Sequence, residues 1–156
     1  MIANSTNPEY TQAIDRLTPD QLMDLYTINY GFDNITELDS IVIRGDVLVE
    51  RALRSLAGAI ANNPIPDDMS AAAIKSFIRL MEPPEQAHLA AVKSLNIARN
   101  SIAHEMHSNY NEHLSHIYEV CGLTPTGDHA LDLKASILVI LAHIFNRREH
   151  LLSLKL

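Results

Sequence analysis

Apolar residues recur every three to four positions along most of the chain, and no segment alternates apolar and polar residues as a half-buried strand would. Prolines and glycines fall mostly between these periodic segments and mark their ends. The pattern predicts six helices, at about residues 19–30, 37–62, 70–81, 84–104, 109–120 and 129–153. We therefore expect an all-α fold, a helical bundle of about five to six helices.

Residue types at the predicted helix ends support these boundaries. Thr18, Thr36 and Asp128 are suitable N-cap residues, because their side chains can accept a hydrogen bond from a backbone N–H of the first turn. Gly122 follows the helix at 109–120, where glycine commonly ends a helix. A length of 156 residues suits one domain. We expect residues 1–17 to be frayed and residues 18–156 to form a single all-α domain.

The helix predicted at 37–62 has one broad apolar face. Gly45, Ala52 and Ala59 lie seven residues apart within this face, so a partner helix could approach closely there. Asp46 and Glu50 lie at the border of the same face. These two carboxylates are therefore candidate partners for a cation near the core.

The helix predicted at 129–153 contains the longest apolar run, from Ala135 to Phe145. A membrane span needs about 20 apolar residues, so we expect a buried helix and no membrane contact. The stretch from Ile137 to Leu141 is apolar all round, which predicts the central helix of the bundle. The first residues lack the basic and apolar regions of a secretory signal, and we expect a cytoplasmic protein.

Charge is distributed unevenly. The net charge is −7, and residues 1–46 hold eight acidic residues against Arg16 and Arg44. Extensive contact with duplex DNA is disfavoured because it requires clustered basic residues, although a small phosphate site is allowed. The acidic first segment could instead shield a basic surface on a protein partner, as an antitoxin does. A single cysteine, Cys121, excludes an intrachain disulfide and indicates a reducing compartment.

The end of the helix at 84–104 carries the strongest candidate for chemistry. Its wheel places Arg99 in the middle of the apolar stripe, and a buried guanidinium requires a carboxylate or a polar crevice. Asp46 and Glu50 are the first partners to consider. His104 lies about 140° from Arg99 around the axis, with Asn100 as its neighbour one turn earlier. Arg99 and His104 meet only if the helix ends or distorts near His104, or if a second copy of the chain supplies the other half.

The string RNSIAH at residues 99–104 resembles the motif of the HEPN superfamily, an Arg followed by a polar residue and a His at this spacing. The wider order of segments, with VLVERAL before the motif and HIYEVCGL after it, is similar to the MltR-type branch, the mannitol operon repressor-like proteins. We take the resemblance to cover roughly residues 36–154. It implies a helical fold, a homodimer with two motifs facing one cleft, and no cofactor.

The HEPN resemblance also implies a metal-independent endoribonuclease, of a kind that often acts as a toxin or in antiphage defence. RNA carries its own nucleophile, the 2′-hydroxyl, so the protein needs only to move protons and stabilise charge. His104 would be the general base or acid, Arg99 would pair with the phosphate oxygens, and Asn100 would orient either group. The expected product carries a 2′,3′-cyclic phosphate.

The same residues also allow non-catalytic interpretations. Arg99 and a carboxylate can form a fold-stabilising pair in an MltR-like regulator or protein-interaction module, with His104 at a helix C-terminus that favours cations. Four histidines follow one another closely, but they lack the zincin spacing, and we expect a solvated or cleft-lining set without a metal: His104, His107, His113 and His116. His143 is expected in the core and Arg147-Arg148 in solvent.

Overall fold

The computed structural model describes residues 35–83, 88–104 and 109–156, together with Pro19, Leu22, Tyr26 and Tyr30. The chain divides into two compact units, Met1–Thr36 and Glu37–Leu156. Six residues of the first unit are described, and the four that lie within 19–30 are helical, as the prediction of a helix there requires. The rest of that helix, its Thr18 cap and residues 1–17 lie outside the described residues. The predicted domain boundary stays a prediction.

The described part of the second unit consists of helices joined by turns and short connecting segments, and the prediction of an all-α fold is confirmed. Its helices are α1 (Leu38–Ile60), α2 (Ala71–Met81), α3 (Leu89–His104), α4 (Asn111–Val120) and α5 (His129–Leu154). No strand occurs within residues 35–83, 88–104 and 109–156. Five of the six predicted helices thus correspond to these five, each within a few residues of the predicted ends except the start of α3, where residues 84–87 are outside the described part.

The central helix of this unit is α1, which packs against α2, α3 and α5. Helix α4 completes the bundle by packing against both α3 and α5. The core between them is aliphatic with two buried tyrosines, Tyr110 and Tyr118. Its largest fully buried side chains include Ile41, Leu53, Leu56, Leu95, Leu114, Ile117, Tyr118, Leu133, Ile137 and Ile140. Burial of these side chains contributes most of the favourable free energy of folding.

Helices α1 and α5 run parallel and make the most extensive contact of the bundle. Gly45 of α1 packs against Ile137 of α5, and ten residues further along α1 Ser55 Oγ accepts from Arg148 Nη1 of α5 at 2.8 Å. Residue numbers therefore increase in the same direction along both helices. A Cβ at position 45 would lie 3.2 Å from Ile137 Cγ1 and closer still to its Cδ1. The close approach predicted for the small-residue stripe of this helix is therefore confirmed at Gly45.

Three of the four predicted end residues can be compared with the structure. Asp128 caps α5, because its Oδ1 accepts from Leu131 N at 3.2 Å. Gly122 (φ 68°) ends α4 in a Schellman motif, in which Leu123 N donates to Tyr118 O. The Thr36 cap is wrong: α1 is preceded by Glu37, whose side chain makes no capping bond.

The prediction that the last helix is central and buried all round is wrong. Leu138 is 38% exposed on the outer face of α5, although Ile137 and Ile140 on the inner face are fully buried. Apolar composition alone did not show that only one side of the helix would be covered. The length and hydropathy of α5 would by themselves allow it to cross a membrane, but a core helix passes the same test. The predictions of no membrane contact and of a cytoplasmic location stay predictions.

Candidate functional site

Arg99 lies at the edge of the buried face of α3. The residues of α3 that face the core are Leu89, Ala91, Val92, Ser94, Leu95 and Ala98. Arg99 follows the buried Ala98 directly, which places it 100° further around the helix axis, and 47% of its side chain is exposed. The prediction of a guanidinium in the middle of the buried stripe is therefore wrong, because the buried arc is centred on the Leu95–Ala98 side and not on Arg99.

The predicted partnership of Arg99 with Asp46 is present in a loose form. Arg99 Nε lies 3.9 Å from Asp46 Oδ2, which is an ion pair by distance but too long for a hydrogen bond. Only 3% of the Asp46 side chain is exposed. Its other oxygen, Oδ1, is buried and has no hydrogen-bond partner. The Asp46 carboxylate on α1 is thus buried, and the Arg99 guanidinium beside it on α3 is half-exposed to solvent.

Electrostatics at Asp46 reflect this incomplete pairing. Burial raises the pKa of Asp46 above its ordinary value of 3.8, and the nearby Glu50 acts in the same direction. The cations Lys75 and Arg99 and a hydrogen bond from Asn96 oppose the rise without cancelling it. A raised pKa means that the ionised carboxylate is less well stabilised here than in water. Asp46 and Arg99 therefore do not form a fully hydrogen-bonded ion pair, and the Asp46 carboxylate is only partly stabilised by the cations near it.

Glu50, the second predicted partner of Arg99, binds a different cation. Lys75 Nζ on α2 lies 3.3 Å from Glu50 Oε1 and donates a hydrogen bond to it. The expected Arg99–Glu50 pair is therefore not found. The wheel placed Glu50 correctly at the border of the apolar face of α1, but it did not show that α2 would supply a lysine at that border.

Asn100 joins Arg99 in a short polar chain along α3. Arg99 Nη1 donates to Asn100 Oδ1 at 3.2 Å, and Asn100 Nδ2 donates to Asn96 Oδ1 at 3.4 Å. Asn96 was not singled out from the sequence, although its position four residues before Asn100 was the available signal. Asn100 therefore orients the guanidinium in this structure.

His104 is the last residue of α3 and is exposed. Helix α3 is continuous through this residue, so the side chains of Arg99 and His104 leave the axis about 140° apart. The structure brings together Arg99, Asn100 and Asp46, and it places His104 on another side of the same helix end. Residues 105–108, which follow the motif, lie outside the described residues.

Two further histidines of the expected solvated or cleft-lining set, and His143, can be compared with the structure. His107 lies outside the described residues, His113 is half-buried and His116 is exposed. Within the described part of the chain, no three His, Cys, Asp or Glu side chains lie close enough to hold a metal ion. His143 is exposed, so its expected core position is wrong. Its ring packs edge-on against His88, with 3.9 Å between the ring centroids.

The two arginines near the C-terminus are structural, contrary to the expectation of a solvated pair. Arg147 Nε and Nη2 donate to the carboxylate oxygens of the buried Glu82, at 2.6 and 3.1 Å. Arg148 is buried and its guanidinium carbon lies 5.0 Å from the centre of the Phe145 ring. Neither arginine is therefore assigned to phosphate binding.

A shallow groove between α1 and α2 is the described cavity nearest the Asp46 region. Its volume is about 150 Å³, and it is lined by Val47, Glu50, Arg51, Leu53, Arg54, Ala71, Ile74 and Lys75. Small-molecule sites commonly measure about 300 Å³ or more, so this groove is too small to enclose a ligand.

In comparisons with protein-family models, curated proteins and solved structures, nothing matches this chain. The likeness to the HEPN superfamily thus rests on the RNSIAH string and the order of the helices.

Proposed function

We propose that the protein is a metal-independent RNA endonuclease that uses Arg99 and His104, with Asn100 and Asp46 holding the guanidinium. The observation that carries the proposal is the state of Arg99, which is half-exposed, loosely paired with Asp46 and hydrogen-bonded through Nη1 to Asn100. A guanidinium in that state can donate hydrogen bonds to a phosphate oxygen without first leaving a buried ion pair.

Position and orientation both favour phosphate binding by Arg99. Asp46 attracts the Nε side of the guanidinium and Asn100 Oδ1 accepts from Nη1, so the planar group is held before a ligand arrives. Guanidinium groups bind phosphate oxygens through two parallel hydrogen bonds, and their charge strengthens each bond. Such a fixed cation stabilises the negative charge that develops on the phosphorus centre during transesterification.

His104 has the access that proton transfer requires. It is exposed at the end of the helix that carries Arg99, and histidine is the side chain that most often serves as a general acid or base. RNA supplies the nucleophile, its own 2′-hydroxyl, so the reaction needs neither metal nor cofactor. The product would carry a 2′,3′-cyclic phosphate.

The angular separation of the two side chains favours a composite site. Because Arg99 and His104 project about 140° apart from α3, a single phosphodiester reaches both most directly when a second copy faces the first. We therefore propose a homodimer as the active form, with RNA as the ligand and without membrane association or extensive contact with duplex DNA.

Cleavage of single-stranded RNA by the purified protein in EDTA tests this proposal. His104→Ala and Arg99→Ala should each lower the rate by at least about 100-fold, the usual contribution of a general acid–base or charge-stabilising group. The matched controls His150→Ala and Arg51→Ala remove the same residue types at exposed positions of α5 and α1. Equal cleavage by His104→Ala and the wild type would overturn the assignment.

A non-catalytic regulator or protein-interaction module is the second candidate. The proximity of Arg99 to the buried Asp46 is what favours it, because this contact could serve only the fold. It predicts no RNA cleavage by any variant. Co-purification of a basic protein would support a partner for the acidic first 46 residues, as an antitoxin-like role requires.

A further inference from the structure

The outer side of α5 carries a second apolar stripe that the bundle covers only in part. Large apolar residues recur every seven positions, at Leu131, Leu138, Phe145 and Leu152. Residues at the intervening positions, four after each of the first three, are Ala135, Ala142 and Glu149. The stripe therefore follows the alternating four- and three-residue spacing of a coiled-coil seam over three heptads.

This seam lies about 120° around α5 from the face that packs against α1. The inner face holds Leu133, Ile137, Ile140, Leu141 and Ile144, all of which are buried. On the seam, Leu131, Leu138, Ala142 and Leu152 are exposed, and Phe145 is half-buried. From Leu131 to Leu152 the seam is about 32 Å long, at 1.5 Å per residue. An apolar stripe of this length with heptad spacing is suited to a helix, since a helix is the element that repeats at the same interval.

We propose that a second copy of this chain docks on the seam, α5 against α5, in antiparallel orientation. The alternation of large and small residues decides the orientation. In antiparallel packing Leu138 lies opposite Ala142 of the second copy and Phe145 opposite Ala135, so each large side chain fills the space above a small one. Parallel packing would place alanine against alanine and leave gaps.

Charge at the end of the seam favours the same orientation. Parallel packing would place Glu149 opposite Glu149 of the second copy, and two facing carboxylates repel each other. Antiparallel packing brings Glu149 to the level of Leu131, one helical turn from Lys134. Glu149 of one copy then lies near the oppositely charged Lys134 of the other copy. This interface does not depend on the proposed nuclease activity.

Sedimentation velocity of the full chain measures the association. The wild type should sediment as a dimer at tens of micromolar, and Ala142→Glu should weaken the association by at least about 100-fold. Because Ala142 is exposed in the single chain and glutamate is a good helix former, this substitution leaves the fold intact. The control Leu80→Glu changes a leucine of α2 that is 85% exposed and lies outside the seam, and it should remain dimeric.

Disulfide formation determines the orientation. In a Cys121→Ser background, the double variant Leu131→Cys with Glu149→Cys should form interchain disulfides, because antiparallel packing places these positions opposite each other. Within one chain they are about 27 Å apart and cannot join. The single variant Leu131→Cys should not cross-link.

Three results would overturn the proposal. One is a wild type that stays monomeric at tens of micromolar, as expected if the same chain or a different partner covers the seam. Another is a dimer that Ala142→Glu and Leu80→Glu leave equally strong. The third is efficient cross-linking of Leu131→Cys alone, which would show parallel packing.

Discussion

Removing the Arg99 guanidinium should cost the fold little, and a second arginine–carboxylate pair of the same bundle provides the comparison. Arg99 is 47% exposed, and its Nε lies 3.9 Å from Asp46. Asp46 is buried, but the guanidinium is half-exposed and makes no hydrogen bond to it, so this contact should contribute no more than an exposed pair does, about 0–1 kcal/mol. Asp46 also keeps Lys75 as a nearby cation when Arg99 is removed. We therefore expect Arg99→Ala to lower the free energy of unfolding by no more than about 1 kcal/mol.

Arg147→Ala should be far more destabilising. Arg147 donates two short hydrogen bonds to Glu82, whose side chain is only 4% exposed. Removing the arginine leaves a buried carboxylate without its partner, which typically costs about 3–5 kcal/mol. For a chain of this size, 1 kcal/mol corresponds to about 2–4 °C in Tm. The expected falls are thus at most about 4 °C for Arg99→Ala and at least about 6 °C for Arg147→Ala.

Thermal unfolding followed by circular dichroism at neutral pH measures both variants against the wild type. Urea titration gives the free energies directly and shows whether the transition stays two-state. If Arg99→Ala is as destabilising as Arg147→Ala, Arg99 is a structural residue and the reasoning that frees it for phosphate binding is refuted.

Three further predictions concern packing, pH and reactivity. Gly45→Ala should destabilise the protein because its added Cβ clashes with Ile137, and Ile137→Val in the same chain should relieve part of that loss. Gly58→Ala adds a Cβ with no atom within 4 Å, so it should stabilise the protein by about 0.5–1 kcal/mol. Urea titration measures all three effects. Burial and the neighbouring imidazole of His143 lower the pKa of His88 below 6.5. The unfolded chain therefore binds a proton at this histidine more readily than the folded chain, and stability should fall as the pH drops below about 6.5. His88→Asn, in which asparagine tolerates the left-handed backbone (φ 48°), should flatten the fall in Tm between pH 7 and 5. Burial raises the pKa of Cys121 to about 11, so a thiol reagent at pH 7.5 should react slowly with the folded protein and rapidly in denaturant.

The sequence predicted the helices well because their ends carry local chemistry. Asp128 and Gly122 act within one turn of their own positions, so neighbouring residues alone determine what they do. Gly45 was also predictable, since a stripe of small residues permits close packing whatever helix approaches. The Thr36 prediction was wrong because the N-cap is the next residue, Glu37, and the presence of a suitable cap residue does not by itself determine where the helix begins.

The site was less predictable because it depends on contacts between helices. A helical wheel orders Arg99 relative to its apolar neighbours, but the width of the buried arc is set by the helices that cover it. Glu50 pairs with Lys75 of α2, which no spacing along α1 could indicate. His143 was expected in the core because its helix is apolar, whereas only one side of α5 is covered.

The chemical nature of the RNA ends tests the central proposal most directly. Mass spectrometry of fragments produced from a short single-stranded RNA in EDTA reports the terminus at the cut. We expect a 2′,3′-cyclic phosphate on the 5′ fragment, formed by the wild type and by His150→Ala but not by Arg99→Ala or His104→Ala. No cleavage by the wild-type protein, or fragments that end in a 3′-hydroxyl, would contradict a nuclease that relies on the RNA's own nucleophile.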